Sequence, residues 1–128
     1  MTSRKANSDS LHLLVFDDDL VHHQDFLKHV EARFTYRPHA DQAVSEVRAH
    51  QPDVVLMDYS MGTPCSGAQA VSNLREHFSA DSLPILAISS DARCNEMMLM
   101  AGASASCVKI GLPTMLPGWL ENGCESES

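Results

Sequence analysis

Four apolar runs each end in a residue that can do chemistry. Asp17 and Asp18 close residues 13–16, Asp58 closes 54–57, Ser89 closes 85–88, and Lys109 closes the weaker run 105–108. Adjacent carboxylates such as Asp17 and Asp18 repel each other unless a cation sits between them. Mg²⁺ suits such a place, because it takes a few carboxylate oxygens together with water and phosphate oxygens. A further carboxylate, Asp58, can act as a nucleophile and form an aspartyl phosphate. The Lys109 ammonium supplies positive charge to a phosphoryl oxygen, and the Ser89 hydroxyl can donate to another. Each residue alone has a plainer explanation: a solvated acidic turn with Asp19 as a helix N-cap, or a polar strand end. Their joint order is the signal.

The elements that must position these residues follow from periodicity. Residues 1–10 are polar and read as a mobile tail. Residues 11–16 are apolar apart from His12, as in a strand buried on both faces. The period then turns helical over 20–34, with Leu20, Val21, Phe26, Leu27, Val30 and Phe34 on one broad face. A short strand is expected at 35–37 and a helix at 41–50 with Ala43, Val44 and Val47 inward, ended by Pro52. A strand at 54–57, a turn-rich loop at 60–67 and a helix at 68–78 come next. Then follow a strand at 85–88 and a methionine-rich helix at 93–100, closed by Gly102 in a left-handed cap. The last strand is 105–108. The last helix, 114–121, should be short or kinked, because Pro117 and Gly118 lie inside it. Residues 122–128 form a polar tail. Five alternations of strand and helix predict one α/β domain over 11–121, doubly wound around a parallel sheet. In such a sheet the C-terminal strand ends form the ligand crevice.

The totals agree with a single small domain. The chain has 128 residues and a formal net charge of -8, which disfavours nucleic-acid partners that demand a basic face. No apolar run approaches the ~20 residues that span a bilayer, and the start has no apolar signal-peptide centre. No membrane association and a cytoplasmic location are expected. The cysteines at 65, 94, 107 and 124 are too scattered for zinc or a disulfide framework and read as thiols. The histidines lack metal-ligand spacing and read as surface residues. Met97, Met98 and Met100 read as packing, since methionine fills irregular core gaps.

Taken together, the stretches Leu-Leu-Val-Phe-Asp-Asp-Asp, Pro-Asp-Val-Val-Leu-Met-Asp-Tyr-Ser-Met, Leu-Pro-Ile-Leu-Ala-Ile-Ser-Ser and Ala-Gly-Ala-Ser-Ala-Ser-Cys-Val-Lys carry a resemblance. In this order the chain resembles the receiver domain of two-component response regulators over residues 11–120. The resemblance implies a flavodoxin-like sheet of order 2-1-3-4-5. It implies that Asp58 accepts a phosphoryl group from a phosphohistidine of a sensor histidine kinase or histidine phosphotransfer protein. Asp18 then corresponds to the direct Mg²⁺ ligand, Asp17 acts mostly through water, and Asp58 and the Ser60 backbone carbonyl complete the set. Ser89 matches the switch hydroxyl and Lys109 the lysine that pairs with the phosphoryl group. A downstream target protein would read the fourth helix, fifth strand and last helix. Such a domain is a phosphoacceptor rather than an enzyme with a separate substrate.

Three departures from the family pattern stand out. Ser106 occupies a place usually held by an aromatic, so a switch cannot rotate one there. Ile110 follows Lys109 where proline is usual. A cis bond at Ile110 would cost about 2.5–4 kcal/mol over trans, so a trans bond and a rerouted loop are expected. The loop after Asp58 reads Met61-Gly62-Thr63-Pro64 and is one residue long before Gly67. Two other functions compete. One is a receiver kept only as a phosphorylation-independent interaction module. The other is a haloacid-dehalogenase-type phosphatase, since Asp17 to Val21 fits D-x-D-x-V with Asp17 as nucleophile and Asp19 as acid. Against the latter, no aspartate follows Lys109 and the chain is short.

Overall fold

A computed structural model of the protein describes residues 11–125. The expected N-terminal tail and the last three residues lie outside them. Five strands form one sheet: β1 (His12–Phe16), β2 (Arg33–Arg37), β3 (Val54–Met57), β4 (Ile85–Ala87) and β5 (Ala105–Ser106). Their order is β2-β1-β3-β4-β5, and every pairing is parallel. The expected fold class and strand order therefore hold. Register aligns the strand ends: Phe16 lies opposite Arg37 and Met57, Met57 opposite Ala87, and Ala87 opposite Ser106. The residues after each strand consequently emerge along one edge.

The apolar runs are continuous because both faces of the sheet are covered. Successive side chains alternate faces. Leu13, Val15, Leu56, Leu86 and Ile88 pack with Leu112, Leu116 and Trp119 on one side. Leu14, Phe16, Val55, Met57 and Ile85 pack with Val47, Leu74 and Met98 on the other. Four α-helices supply these layers: α1 (Ala43–His50), α2 (Gly67–Arg75), α3 (Ala92–Ala101) and α4 (Leu112–Glu121). Ser66 caps α2 by accepting from Gln69 N at 3.1 Å, and Asp91 caps α3 by accepting from Arg93 N at 2.9 Å. Gly102 ends α3 at φ 123°, the positive φ its place demanded. No helix of the described residues is long and apolar enough to cross a membrane.

The helix expected over 20–34 does not form. The segment makes two 3-10 turns, Leu20–His22 and Gln24–Leu27, and β2 already starts at Arg33. The apolar spacing is still used, for Leu20, Leu27 and Val30 are buried. Side chains here take the backbone partners that an α-helix would need. Asp17 accepts from the Leu20 N–H, a His23 ring nitrogen bonds the Asp19 carbonyl, and Gln24 donates to the Val21 carbonyl. Such local bonds compete with regular helix. The C-terminal part is drawn into an edge strand, where Phe34 and Tyr36 stack with centroids 5.8 Å apart.

Other expectations shift in detail. His12 is not on the surface: it is 7% exposed, and its Nε2 is hydrogen-bonded to Thr35 Oγ1 at 2.7 Å. Burial, reinforced by the Arg33 and His50 charges, lowers its pKa. Of the methionine run, only Met98 is core. Met97 and Met100 are 48% and 88% exposed. No cis peptide bond occurs among the described residues, so Ile110 is trans, and the rerouted chain makes a 3-10 turn, Lys109–Gly111, directly into α4. Pro117 cannot donate to the Pro113 carbonyl four residues back. His29 Nε2 bonds that carbonyl instead, at 2.8 Å. None of the four cysteines is disulfide-bonded, and Cys124 is buried.

Two glycines give opposite expectations. A Cβ on Gly67 would overlap the Asp58 carbonyl oxygen and crowd Met98 and Tyr59, whereas one on Gly118 meets nothing within 4 Å. Gly67→Ala should lower unfolding free energy by about 1–3 kcal/mol through overpacking. Gly118→Ala should raise it by roughly 0.5–1 kcal/mol, the helix gain of alanine over glycine. Urea titration of both variants checks the pair. Equal effects would mean that α2 does not press on the Asp58 peptide.

Candidate functional site

The aligned strand ends place the acidic residues together. One oxygen from each of Asp17, Asp18 and Asp58 lies within 4.8 Å of the others. Asp17 is wholly buried and Asp58 is 7% exposed, while Asp18 faces solvent. Asp17 Oδ1 accepts from Asp19 N at 2.8 Å and Leu20 N at 2.9 Å. The carboxylate that holds the turn is therefore Asp17, and Asp19 makes no side-chain cap bond. Asp58 Oδ1 accepts from Tyr59 N at 2.8 Å.

Lys109 reaches this cluster from beyond β5. Its Nζ lies 2.8 Å from Asp17 Oδ2 and 3.6 Å from Asp58 Oδ2. Burial alone would lower its pKa. The hydrogen bond to Asp17 and the charges of Asp17 and Asp58 outweigh burial and hold it above the usual lysine value. Asp58 moves upward, to about 6. Burial is the main cause and the Asp17 charge adds to it; Lys109 and the Tyr59 N–H pull the other way. Three carboxylates and one ammonium leave the pocket two negative charges in excess. A donor set of hard oxygens with that excess fits a divalent cation such as Mg²⁺, and exposed Asp18 gives it an entry.

Ser89 stands beside the cluster without bonding to it. Ile88 N donates to Met57 O at 2.9 Å, so Ser89 follows in the row next to Asp58. The residue is buried, and its Oγ accepts from Asp91 N at 3.0 Å. Ser60 is exposed in the loop after Asp58. Two neighbours were not foreseen. Gly67 N donates to Tyr59 O at 2.7 Å, setting α2 against the Asp58 peptide. Asn95, buried on α3, bonds the Ser89 backbone. Gly67 stood out in the sequence as the end of a turn-rich loop, but nothing marked Asn95.

The family model for the response regulator receiver domain matches residues 13–110. The chain belongs to the response regulator receiver family. No curated protein matches, but many solved receivers share the fold. The Vibrio cholerae chemotaxis protein CheY4 is 19% identical with a TM-score of 0.72, covering 88% of this chain and 98% of that one. The receiver domain of the sensor histidine kinase PA1611 from Pseudomonas aeruginosa is 21% identical, with a TM-score of 0.72 and coverage of 88% and 98%. That structure has a magnesium ion coordinated in its active-site cleft. The BeF3-activated N-terminal receiver domain of Klebsiella pneumoniae RstA is 22% identical, with a TM-score of 0.72 and coverage of 91% and 100%.

The raised Asp58 pKa gives this receiver a pH signature. Between the usual carboxylate value and about 6, the folded state binds more protons than the unfolded state. Stability therefore falls as pH rises through that window. Without divalent cations, Asp58→Asn should be more stable than the parent at pH 7 by on the order of 1 kcal/mol, after allowing for solvent screening. The gap should close at pH 4 and shrink when Mg²⁺ is added. Urea titrations at pH 4 and 7 check this; a parent more stable than the variant at pH 7 without metal would contradict it.

Proposed function

We propose that this receiver accepts a phosphoryl group on Asp58 from a phosphohistidine of a sensor histidine kinase or histidine phosphotransfer protein. The arrangement that best supports this is the Lys109 ammonium beside both Asp17 and Asp58, in a pocket that exposed Asp18 opens to solvent. An Asp58 carboxylate oxygen forms the new P–O bond as the P–N bond breaks. The electron pair goes to the imidazole nitrogen, which takes up a proton. Such transfers need in-line positioning and charge neutralisation more than covalent help from the protein. Asp17, Asp18, Asp58 and the Ser60 carbonyl would hold Mg²⁺, which when bound supplies positive charge to the phosphoryl oxygens.

The chain's own groups divide the remaining work. Lys109 exchanges part of its contact with Asp17 for a phosphoryl oxygen. Ser89 keeps its hydroxyl proton free to donate, since its Oγ serves only as an acceptor from Asp91 N. The domain is consumed as a phosphoacceptor and turns over no separate substrate. The signal then passes to a target protein at the face of α3, β5 and α4. Met97, Met100, Val108 and Ile110 lie exposed on or beside that face, at 48%, 88%, 40% and 87%. Exposed apolar side chains of this kind mark interaction surfaces. The phosphatase reading is disfavoured, because Asp17 is wholly buried and holds the turn after β1 through two backbone N–H groups.

Intact mass after incubation with Mg²⁺ and acetyl phosphate tests the reading. The parent should gain one phosphoryl group, Asp58→Asn none, and Lys109→Ala much less. An adduct that persists in Asp58→Asn and vanishes in Asp17→Asn would transfer the nucleophile to Asp17. Failure to form any adduct, with no Mg²⁺ binding, would leave the receiver as an interaction module.

A further inference from the structure

Ser106 removes the aromatic side chain that could link the pocket to the far face, and one buried amide lies where a link is needed. Asn95 is 4% exposed. Its Oδ1 accepts from Ser89 N at 2.8 Å. Its Nδ2 donates to Ser89 O at 3.1 Å and to Cys107 O at 3.3 Å. Turning the amide over would set donor against donor and carbonyl against carbonyl, so the network fixes its orientation. Both ends of the clamp are anchored. Asn95 N donates to the O of the cap residue Asp91 at 3.1 Å, at the start of α3, and Cys107 N donates to Ala87 O at 2.9 Å.

We propose that Asn95 is the positioning residue that carries movement of Ser89 to the α3–β5–α4 face. This rests on the phosphoacceptor reading above and adds the route of its signal. The Ser89 peptide has both its N–H and its carbonyl on this one side chain. Ser89 cannot move toward a phosphoryl group without stretching two hydrogen bonds or drawing Asn95 along. Drawing Asn95 shifts α3, and the third bond passes the strain to Cys107, two residues before Lys109. Between α3, β5 and α4 lies a groove of about 560 Å³ whose lining includes Leu99, Ser106, Met115 and Trp119. Trp119 is the chain's one tryptophan, so a single indole resonance reports on that face.

The experiment is a beryllofluoride titration in Mg²⁺, followed by amide and indole NMR in the parent, Asn95→Leu and Asn95→Ser. Serine is too short to span both strand ends and keeps the test open if the leucine variant does not fold. In the parent, the Tyr59 and Ser89 amides and the Trp119 indole should all shift. In the variants the Tyr59 amide should still shift, with affinity within about threefold, while the Trp119 shift is lost. A Trp119 shift of undiminished size in both variants would overturn the coupling. Hydrogen exchange tests the clamp itself without any phosphoryl mimic. The Ser89 amide should exchange about tenfold faster in Asn95→Leu, as loss of one such bond implies, with Ile88 unchanged. Unaltered Ser89 exchange would overturn the clamp. No beryllofluoride binding by the parent would sink the phosphoacceptor reading and the coupling with it, and is thus distinct from either result.

Discussion

A carboxylate with no access to water sets the terms for this protein. Burying Asp17 is unfavourable unless its charge is met by several partners. Two partners are N–H groups of the residues just ahead, available only because the chain leaves β1 in a tight turn. The third is Lys109, which follows β5 and reaches back across the ends of β4 and β3. One side chain thus dictates the turn after the first strand and ties it to the end of the last. Asp58 sits between them, on β3's exit, and inherits the field they make.

That field is unfavourable by construction. One Lys109 ammonium meets three carboxylates, and Asp58 is left partly desolvated beside the Asp17 charge. A core built for stability alone would not contain such an arrangement, and imbalances of this kind gather where a protein has chemistry to perform. The missing charge is of the size and hardness that magnesium carries. The same imbalance makes Lys109 divided in loyalty, held at 2.8 Å by Asp17 while standing 3.6 Å from Asp58.

How far the sequence revealed this depends on what each residue answers to. Asp17, Asp58, Ser89 and Lys109 were legible because each ends an apolar run, and parallel register brings run ends together whatever the helices do. Residues 20–34 were not legible. A helix and a pair of 3-10 turns bury the same Leu20, Leu27 and Val30. The choice between them was made by bonds from Asp17, His23 and Gln24 to the backbone, which depend on where Asp17 is held in three dimensions. The burial of His12 does not show in the sequence, because its partner Thr35 lies on a neighbouring strand. Asn95 was invisible for a related reason: a polar residue within a helix resembles a solvated one until the start of α3 at Ala92 fixes which way it faces.

The join between β5 and α4 has a mechanical meaning. Between the ammonium-bearing residue and the last helix there is no slack, only the 3-10 turn Lys109–Gly111. The helix beyond it has ten residues and is about 15 Å long at the usual rise. Lys109 therefore stands at the root of a rigid arm. Any rotation at that root, such as the proposed transfer of the ammonium from one oxygen to another would impose, would be magnified at the Glu121 end. His29, hydrogen-bonded to the Pro113 carbonyl near that root, ties the first turn of the arm to the segment that precedes β2.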